Sequence, residues 1–401
     1  MKKSTLDTAL IVSALLSPVA PGLVSKELVM MSFSLLIVKI LVSGNILRYI
    51  KEKVITILFF LPGTTLALLN SPSDMLRFFP VLFLVLGFPY RGFKLNHAVI
   101  AYASILVIGY LFVTQLLIAF GNPSLISFRN DFYPIEHDAW RYRDIGSLFF
   151  PFGTFRAAGV FYNPNVQGLV LILYFFVYSI LHSSIRPKNK KLIFSDWAYY
   201  ILLAIVFYSI FITGSRTALM SLIFYILLKE ALSNGMFKIS KKIKWTILLL
   251  ASAPAIWFFL WDRLMQGFTD PMGSANIKLR ILFDYLQASD LATLLFGGTY
   301  DLQFDAEYGY WIGAAGICGV IGWVLTLRLF FSHIPSSRAI SLAMLLMAIG
   351  NTVFYGLMTG AIATLLLVTA CTLTPKANRR FAGWNYPAEH CATSTPLTHK
   401  G

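Results

Sequence analysis

The chain has 401 residues, of which 57% are apolar and 13% are charged, and its formal net charge is +15. Apolar residues at this density, in runs close to the length of about 20 that spans a bilayer core, exclude a soluble globular protein. The runs are continuous rather than alternating, so they favour helices over transmembrane strands.

Twelve apolar runs predict twelve transmembrane helices and an all-α, polytopic integral membrane fold. In chain order they cover 6–24, 27–45, 54–70, 75–90, 97–120, 164–182, 195–213, 215–232, 244–261, 306–327, 338–354 and 357–373. No soluble domain interrupts them, so we expect a single transmembrane domain over 1–373 and a tail over 374–401. Because the number of helices is even, both termini are expected on the same side of the membrane.

The distribution of charge over the loops predicts the orientation. Loops on the side of the N-terminus carry 22 basic and five acidic residues, whereas the opposite loops carry ten basic and thirteen acidic residues. An excess of Lys and Arg marks the cytoplasmic side of a membrane protein. We therefore expect both termini in the cytoplasm. The positive charge has no need of a nucleic-acid partner.

Two connections on the outer side are much longer than the others, at 121–163 and 262–305. Loops of more than about 15 residues are uncommon in compact folds and are usually functional. The second loop has apolar residues at helical spacing over 276–288, with charged residues between them. This pattern predicts a short amphipathic helix on the outer surface. A packing role and a substrate-contacting role both stay open for it.

The stretch "RAAGVFYNPNVQG" places Arg156 just ahead of the sixth predicted helix. Asn163 suits the N-cap of that helix, and Pro164 suits its first position, where a missing N–H costs nothing. The helix is therefore expected to begin at the outer surface, with an arginine close to its mouth.

The arrangement recurs at "TGSRTALM", between the seventh and eighth predicted helices. Gly214 is expected to end one helix, Ser215 to cap the next, and Arg216 to fall in its first turn. Acidic residues, rather than arginine, complement the dipole at a helix N-terminus. Free N–H groups and a guanidinium together suit a phosphate or a diphosphate. The alternative is that the two arginines reach lipid headgroups or pair with loop acids.

These segments resemble the O-antigen polymerase and ligase superfamily, bacterial membrane glycosyltransferases that act on undecaprenyl-diphosphate-linked glycans. The resemblance rests on three stretches in order: "RAAGVFYNPN", "TGSRTAL" and "FDAEYGYWIGAAGICGVIGW". The ligases carry a histidine at the start of the third stretch, where this chain has Asp305, followed by Ala306 and Glu307. The resemblance therefore favours the polymerase branch.

The resemblance implies an enzyme that joins undecaprenyl-diphosphate-linked repeat units at the periplasmic face of the bacterial inner membrane. For the leaving diphosphate we expect Arg156 and Arg216, with Arg280 as a third cation. Asp305 or Glu307 is expected to act as the catalytic base, where partial desolvation raises a carboxyl pKa. The alternative for this acidic pair is an ordinary first helical turn that complements the dipole.

No cofactor and no metal are expected, because the outer acids do not stand at ligand spacing with histidines. The expected partners are the lipid-linked oligosaccharide, membrane lipids and a chain-length regulator protein. Tyr308 and Trp311 are candidates for a sugar or lipid platform, although aromatic residues are common at membrane interfaces. Two other functions stay open: an O-antigen ligase that transfers glycan to lipid A core, and a polytopic transporter. Transporters usually contain an internal repeat with paired broken helices, and the sequence shows no convincing second copy.

Overall fold

The structure is a computed structural model that describes residues 3–20, 46–70, 95–133, 155–185, 195–232, 274–297, 307–333 and 338–350, with single positions at 24, 27, 28, 31, 34, 144, 145 and 148. The regular structure in these ranges is helical, and they contain no strand. The all-α prediction is confirmed for this part of the chain.

Eleven α-helices lie in the described ranges. They are α1 Lys3–Leu16, α2 Ile46–Asn70, α3 His97–Ala119, α4 Pro123–Phe132, α5 Pro164–Ile185, α6 Asp196–Thr213, α7 Arg216–Leu232, α8 Ser274–Ala288, α9 Leu291–Phe296, α10 Glu307–His333 and α11 Arg338–Gly350. Short 3-10 turns cover Ser17–Val19 and Gly159–Phe161.

Four of the observed helices follow the apolar runs closely, whereas the helix predicted over 6–24 ends at Leu16 and continues as a 3-10 turn over Ser17–Val19. Helices α3, α5, α6 and α7 begin and end within three residues of the predicted bounds. Helix α2 begins earlier than expected and keeps Pro62 inside it. The predicted helices at 75–90, 244–261 and 357–373 lie outside the described residues, as does the tail over 374–401, and the predicted helix at 27–45 is described only at single positions. The total of twelve therefore stays a prediction.

Several helix starts are fixed by a side chain that accepts a hydrogen bond from the first turn, as the N-cap rule requires. These bonds join the side chains of Asn96, Asn122 and Ser195 to the backbone N–H groups of Val99, Leu125 and Ala198. The cap at Asn122, followed by Pro123, starts α4 within the stretch 121–163 that was expected to be a loop.

Helix α5 is the centre of the bundle and packs against α3, α6 and α7. Within its apolar window 89% of the residues are buried, against 44% and 39% for α3 and α6. Every residue from 169 to 178 is buried, which is the behaviour of a helix that is apolar on all sides and surrounded by other helices. Helices α3 and α6 expose large apolar side chains such as Leu106 and Ile201, so their outer faces suit lipid.

Helices α5 and α7 run in the same direction, and α6 runs against them. The turn after α6 lies beside the start of α5, since a Cβ on Gly168 would stand 3.3 Å from Oγ1 of Thr213. At the opposite end, Nε2 of His182 in α5 lies 3.3 Å from the carbonyl oxygen of Ser195, just before α6. This up-and-down order gives the bundle two distinct ends, each built from three helix termini.

Helix α10 is kinked at Gly316, which has a positive φ of 63°. A Cβ there would lie 2.4 Å from the backbone carbon of Leu295, so only glycine lets the end of α9 approach this closely. The sequence predicted one helix over 306–327 without a kink. The kink arises from backbone packing between α9 and α10, which no apolar pattern reveals.

Candidate functional site at the mouth of the central helix

Arg156 joins two helix ends. Its Nε donates to the carbonyl oxygen of Thr213, the last residue of α6, and its Nη2 donates to Oδ1 of Asn165 in the first turn of α5, both at 2.8 Å. The next residue extends the contact, because the N–H of Ala157 donates to the carbonyl oxygen of Ile212 at 3.0 Å. The segment before α5 is therefore fastened along the end of α6.

This geometry supplies a physical reason for a cation at this position. The last carbonyl groups of a helix carry partial negative charge, and a nearby cation is stabilising. Because α5 and α6 are antiparallel, the mouth of α5 is also the C-terminal end of α6. The guanidinium of Arg156 therefore complements the dipole of α6, a neighbouring helix that the sequence around α5 does not reveal.

The predicted cap of α5 is confirmed. The Oδ1 atom of Asn163 accepts a hydrogen bond from the N–H of Asn165 at 2.9 Å, and its carbonyl oxygen accepts from the N–H of Gln167 at 3.0 Å. Pro164 is the first residue of the helix. Asn165 thus receives the Asn163 cap on its backbone while its own side chain holds Arg156.

The second predicted segment also forms a helix-to-helix turn. Gly214 has a φ of 60° and ends α6, and the carbonyl oxygen of Ser215 accepts from the N–H of Leu219 at 3.0 Å, which places Ser215 at the N-cap of α7. The prediction that its side chain caps α7 is wrong. Its hydroxyl is buried and has no partner among the described residues, while its N–H donates to Oγ1 of Thr213 at 3.1 Å.

The two arginine segments pack directly against each other through Gly168. A Cβ on this glycine would lie 3.1 Å from the Cβ atoms of both Ser215 and Ala218. Small residues at such crossings let helix backbones approach closely inside a membrane. The segments that carry Arg156 and Arg216 are therefore neighbours in space, and Arg216 is the first residue of a helix that starts beside the start of α5.

Gln115 of α3 holds the Arg156 segment from the other side. Its Nε2 donates to the carbonyl oxygens of Ala157 at 3.0 Å and Ser209 at 3.2 Å, and its Oε1 accepts from the Ser209 hydroxyl. The side chain is completely buried. Gln115 was not predicted as a site residue, although a glutamine within an apolar helical run is a signal that the sequence contains.

An ion pair braces the chain between Arg156 and α5. Nη1 of Arg129 in α4 donates to Oδ2 of Asp144 at 2.8 Å and to the carbonyl oxygen of Gly159 at 3.0 Å. The other carboxylate oxygen of Asp144 accepts from the N–H of Ala158 at 2.7 Å. Both charged side chains are about nine-tenths buried. The sequence offered no signal for this pair, because both residues lie in the stretch 121–163, which was predicted as a loop and shows no apolar periodicity.

Tyr162 lies beside this ion pair and has a left-handed backbone conformation, with a φ of 57°. The guanidinium carbon of Arg129 lies 4.4 Å from the centre of its ring, and its hydroxyl donates to Oδ1 of Asn130. Burial raises the pKa of Tyr162, while the Arg129 guanidinium acts in the opposite direction. The hydroxyl therefore stays protonated at neutral pH and acts as a donor.

Of the other predicted site residues, only Arg280 has a described side chain, and it is not joined to this cluster. Arg280 of α8 is exposed and, among the described residues, pairs only with Asp284 of the same helix, at 3.8 Å. Glu307 is the first residue of α10, and its side chain lies outside the described part. Asp305 lies outside the described residues altogether. The roles of these three residues stay predictions.

Tyr308 and Trp311 were predicted as an aromatic platform for a sugar or lipid, and the prediction is wrong for Trp311. Trp311 is completely buried and its ring lies 5.3 Å from that of Phe60 in α2, so it packs within the bundle. Tyr308 is only partly buried. Helix α8, predicted as amphipathic over 276–288, is confirmed as a helix and exposes apolar side chains such as Leu279 and Phe283.

Metal-ligating side chains do not gather in the described ranges: His, Cys, Asp and Glu nowhere form a group of three or more there. Among the described residues, Arg156, Arg216 and Arg129 are the arginines that lie near the start of α5. Arginine binds oxyanions with paired N–H donors, so phosphate is the ligand chemistry that this end of the bundle suits.

The fold defines the class of protein. In the described ranges the chain is all-helical, with four helices long and apolar enough to cross a membrane: His97–Ala119, Pro164–His182, Asp196–Thr213 and Tyr308–Leu325. This is the pattern of a multi-helix membrane protein. No family model and no curated protein matches the chain.

Proposed function

We propose that this protein is a glycosyltransferase of the O-antigen polymerase type, which joins undecaprenyl-diphosphate-linked repeat units at the periplasmic face of the inner membrane. One observation supports the proposal most directly: Arg156 is bonded to Thr213, at the turn that carries Arg216. Two arginine segments that are far apart in sequence thus belong to one structural unit, as a diphosphate site requires.

The electrostatics of this unit suit a diphosphate. Helices α5 and α7 begin at the same end of the bundle, so the positive ends of their dipoles point to the same side. Arg216 stands in the first turn of α7, and the Ser215 hydroxyl does not cap that turn. The start of α7 therefore suits an anionic ligand as its capping group.

The anchoring of Arg156 favours catalysis of group transfer. Its bonds to Thr213 and Asn165 fix the guanidinium before any ligand arrives. Charges that are already in place stabilise a developing anion without reorganisation, and this is usually the largest electrostatic contribution to a rate. Gln115 and the Arg129–Asp144 pair hold the same segment from two sides.

In the proposed reaction a sugar hydroxyl of one lipid-linked unit attacks the anomeric carbon of another. A new carbon–oxygen bond forms, the bond to the diphosphate breaks, and the electron pair leaves with the undecaprenyl diphosphate. The hydroxyl proton passes to a carboxylate, for which Asp305 and Glu307 are the candidates. The two arginine charges stabilise the leaving diphosphate.

Complementation of a polymerase-null strain tests the proposal. Arg216→Gln and Arg156→Lys are expected to abolish the long glycan ladder at wild-type membrane abundance, whereas Lys278→Gln, which removes a cation from α8, is expected to restore it. Core carrying a single repeat unit identifies a lost polymerase, and bare core identifies a lost ligase. Normal ladders from both arginine variants would refute the diphosphate site.

Binding of purified protein to undecaprenyl diphosphate provides a second test. Wild-type protein is expected to bind the diphosphate lipid more tightly than undecaprenol, and Arg216→Gln is expected to lose most of that difference. Equal affinity of the wild type for both lipids would contradict the proposal without reference to any variant.

A further inference from the structure

A second polar cluster lies at the opposite end of the same three helices. It is formed by Ser179 of α5, Tyr199 of α6, and Tyr225 and Lys229 of α7. Ser179 lies about four turns along α5 from Pro164, and Lys229 lies in the last turn of α7. The cluster therefore stands well away from Arg156 and takes no part in the proposed transfer reaction.

Lys229 is the cation of this cluster. Its Nζ donates to the Tyr199 hydroxyl at 2.7 Å and to Oγ of Ser179 at 3.4 Å. It also lies 3.9 Å from the centre of the Tyr199 ring and 5.7 Å from that of Tyr225. The hydroxyls of Ser179 and Tyr225 are bonded to each other, and those of Tyr199 and Tyr225 lie 3.4 Å apart.

The charge of Lys229 is not neutralised within the described part of the chain. Its two hydrogen-bond acceptors there are neutral hydroxyls, and no described carboxylate forms an ion pair with it. An ammonium has three donors, so these hydroxyls leave one for another acceptor. Lys229 is half-buried, so part of this residue is exposed at the end of the bundle.

Exposed aromatic side chains place this end at the level of a membrane surface. Trp197 is 78% exposed and Tyr200 is 60% exposed in the first turn and a half of α6, next to Tyr199. Trp and Tyr with this exposure are typical of the interface between hydrocarbon and headgroups. Ile201 follows them and is also exposed, as a lipid-facing residue would be.

We propose that Lys229, with the hydroxyls of Tyr199 and Ser179, forms a binding site for the phosphate of an anionic glycerophospholipid headgroup. The aromatic rings and hydroxyls hold the Lys229 ammonium in place. The lipid phosphate supplies the negative charge that no described residue provides opposite it. Basic positions between helix ends at the membrane surface are suited to such lipids. The proposal depends on membrane insertion alone, so it stands or fails separately from the glycosyltransferase.

Titration of the purified full chain in detergent with fluorescent phosphatidylglycerol and phosphatidylcholine tests the site. Wild-type protein is expected to prefer phosphatidylglycerol by about fivefold, the effect of one basic residue near an anionic surface. Lys229→Gln is expected to lose this preference and Lys229→Arg to keep it. Lys278→Gln, which removes a cation from α8, is the matched control and is expected to keep it as well.

Several outcomes would overturn the site. A wild-type protein without preference between the two lipids would do so whether or not any variant folds, and so would a full preference in a Lys229→Gln protein that unfolds at the wild-type temperature. Displacement of phosphatidylglycerol by millimolar inorganic phosphate would overturn the lipid assignment in favour of the free anion.

Discussion

Nε of Arg156 and the carbonyl oxygen of Thr213 lie 2.8 Å apart, and this bond joins the mouth of one transmembrane helix to the end of its antiparallel neighbour. The positive charge of Arg156 does not complement the N-terminus of α5, but it does complement α6, because it lies at the negative end of that helix dipole. The same bond brings Arg156 to the turn that carries Arg216. The side chain of Arg156 thus serves the fold, and in the proposed function it also binds the diphosphate.

The first prediction separates these two roles of Arg156. Arg156→Lys keeps a cation near α6, but an ammonium cannot present two fixed donors to Thr213 and Asn165. We expect a lower unfolding temperature in detergent and a rate of glycan polymerisation reduced on the order of 100 to 1000-fold. Unchanged stability with normal ladders would contradict both roles. Arg280→Lys, an exposed side chain in an i,i+4 pair, is the control for stability.

The second prediction concerns the close approach of α5 and α7. Gly168→Val puts a branched side chain where a Cβ alone would already lie 3.1 Å from Ser215 and Ala218. We expect a loss of about 1 to 3 kcal/mol in the free energy of unfolding, from overpacking. Gly109→Val in α3 is the matched control, because a Cβ there would meet nothing within 4 Å. Equal unfolding temperatures for the two variants would show that the close approach of α5 and α7 does not contribute to stability.

The third prediction tests the brace formed by Arg129 and Asp144. Arg129→Met leaves a buried carboxylate without its cation, and such losses cost about 3 to 5 kcal/mol. The variant Arg129→Met/Asp144→Leu removes both charges and is expected to recover part of that loss. Recovery stays partial because Asp144 also accepts the N–H of Ala158. Thermal unfolding of Arg129→Met, Asp144→Leu and the double variant measures the coupling, and strictly additive losses would argue against the pair.

The fourth prediction concerns the kink of α10. Gly316→Ala would place a Cβ 2.4 Å from the backbone carbon of Leu295, on a residue with a φ of 63°. We expect α9 to be displaced, seen as faster proteolysis over 289–300 and a lower unfolding temperature. Gly109→Ala is the control, since α3 is regular there and has open space. If Gly316→Ala is cleaved at the same rate as the wild-type protein, the position of α9 does not depend on this contact.

The fifth prediction concerns orientation in the membrane. Reporter fusions at Lys190, Lys241 and Arg379 are expected in the cytoplasm, and fusions at Glu136 and Pro271 in the periplasm, from the positive-inside distribution. The structure adds that Arg156 and Lys229 stand at opposite ends of α5, α6 and α7. A periplasmic reporter signal at Lys241 would contradict the arrangement of twelve helices.

Within the described part of the chain, the sequence by itself determined the all-α class of the fold and many of the helix boundaries. Continuous apolar runs predicted α3, α5, α6 and α7 to within a few residues, because burial in lipid demands satisfied backbone hydrogen bonds along the whole run. The local chemistry of Asn163, Pro164 and Gly214 marked where helices begin and end. These signals are local, since each depends on a few neighbouring residues.

Only the tertiary structure decided which helix ends meet and what each polar side chain bonds to. Residues Arg156 and Thr213 are 57 positions apart, and Gln115 and Ser209 are 94 apart, so no spacing along the chain indicates their contacts. The failure of Ser215 to cap α7 has the same origin, because packing against Gly168 buries a hydroxyl that local chemistry assigns to the helix start. Partners of this kind follow from helix packing, which the apolar pattern leaves undetermined.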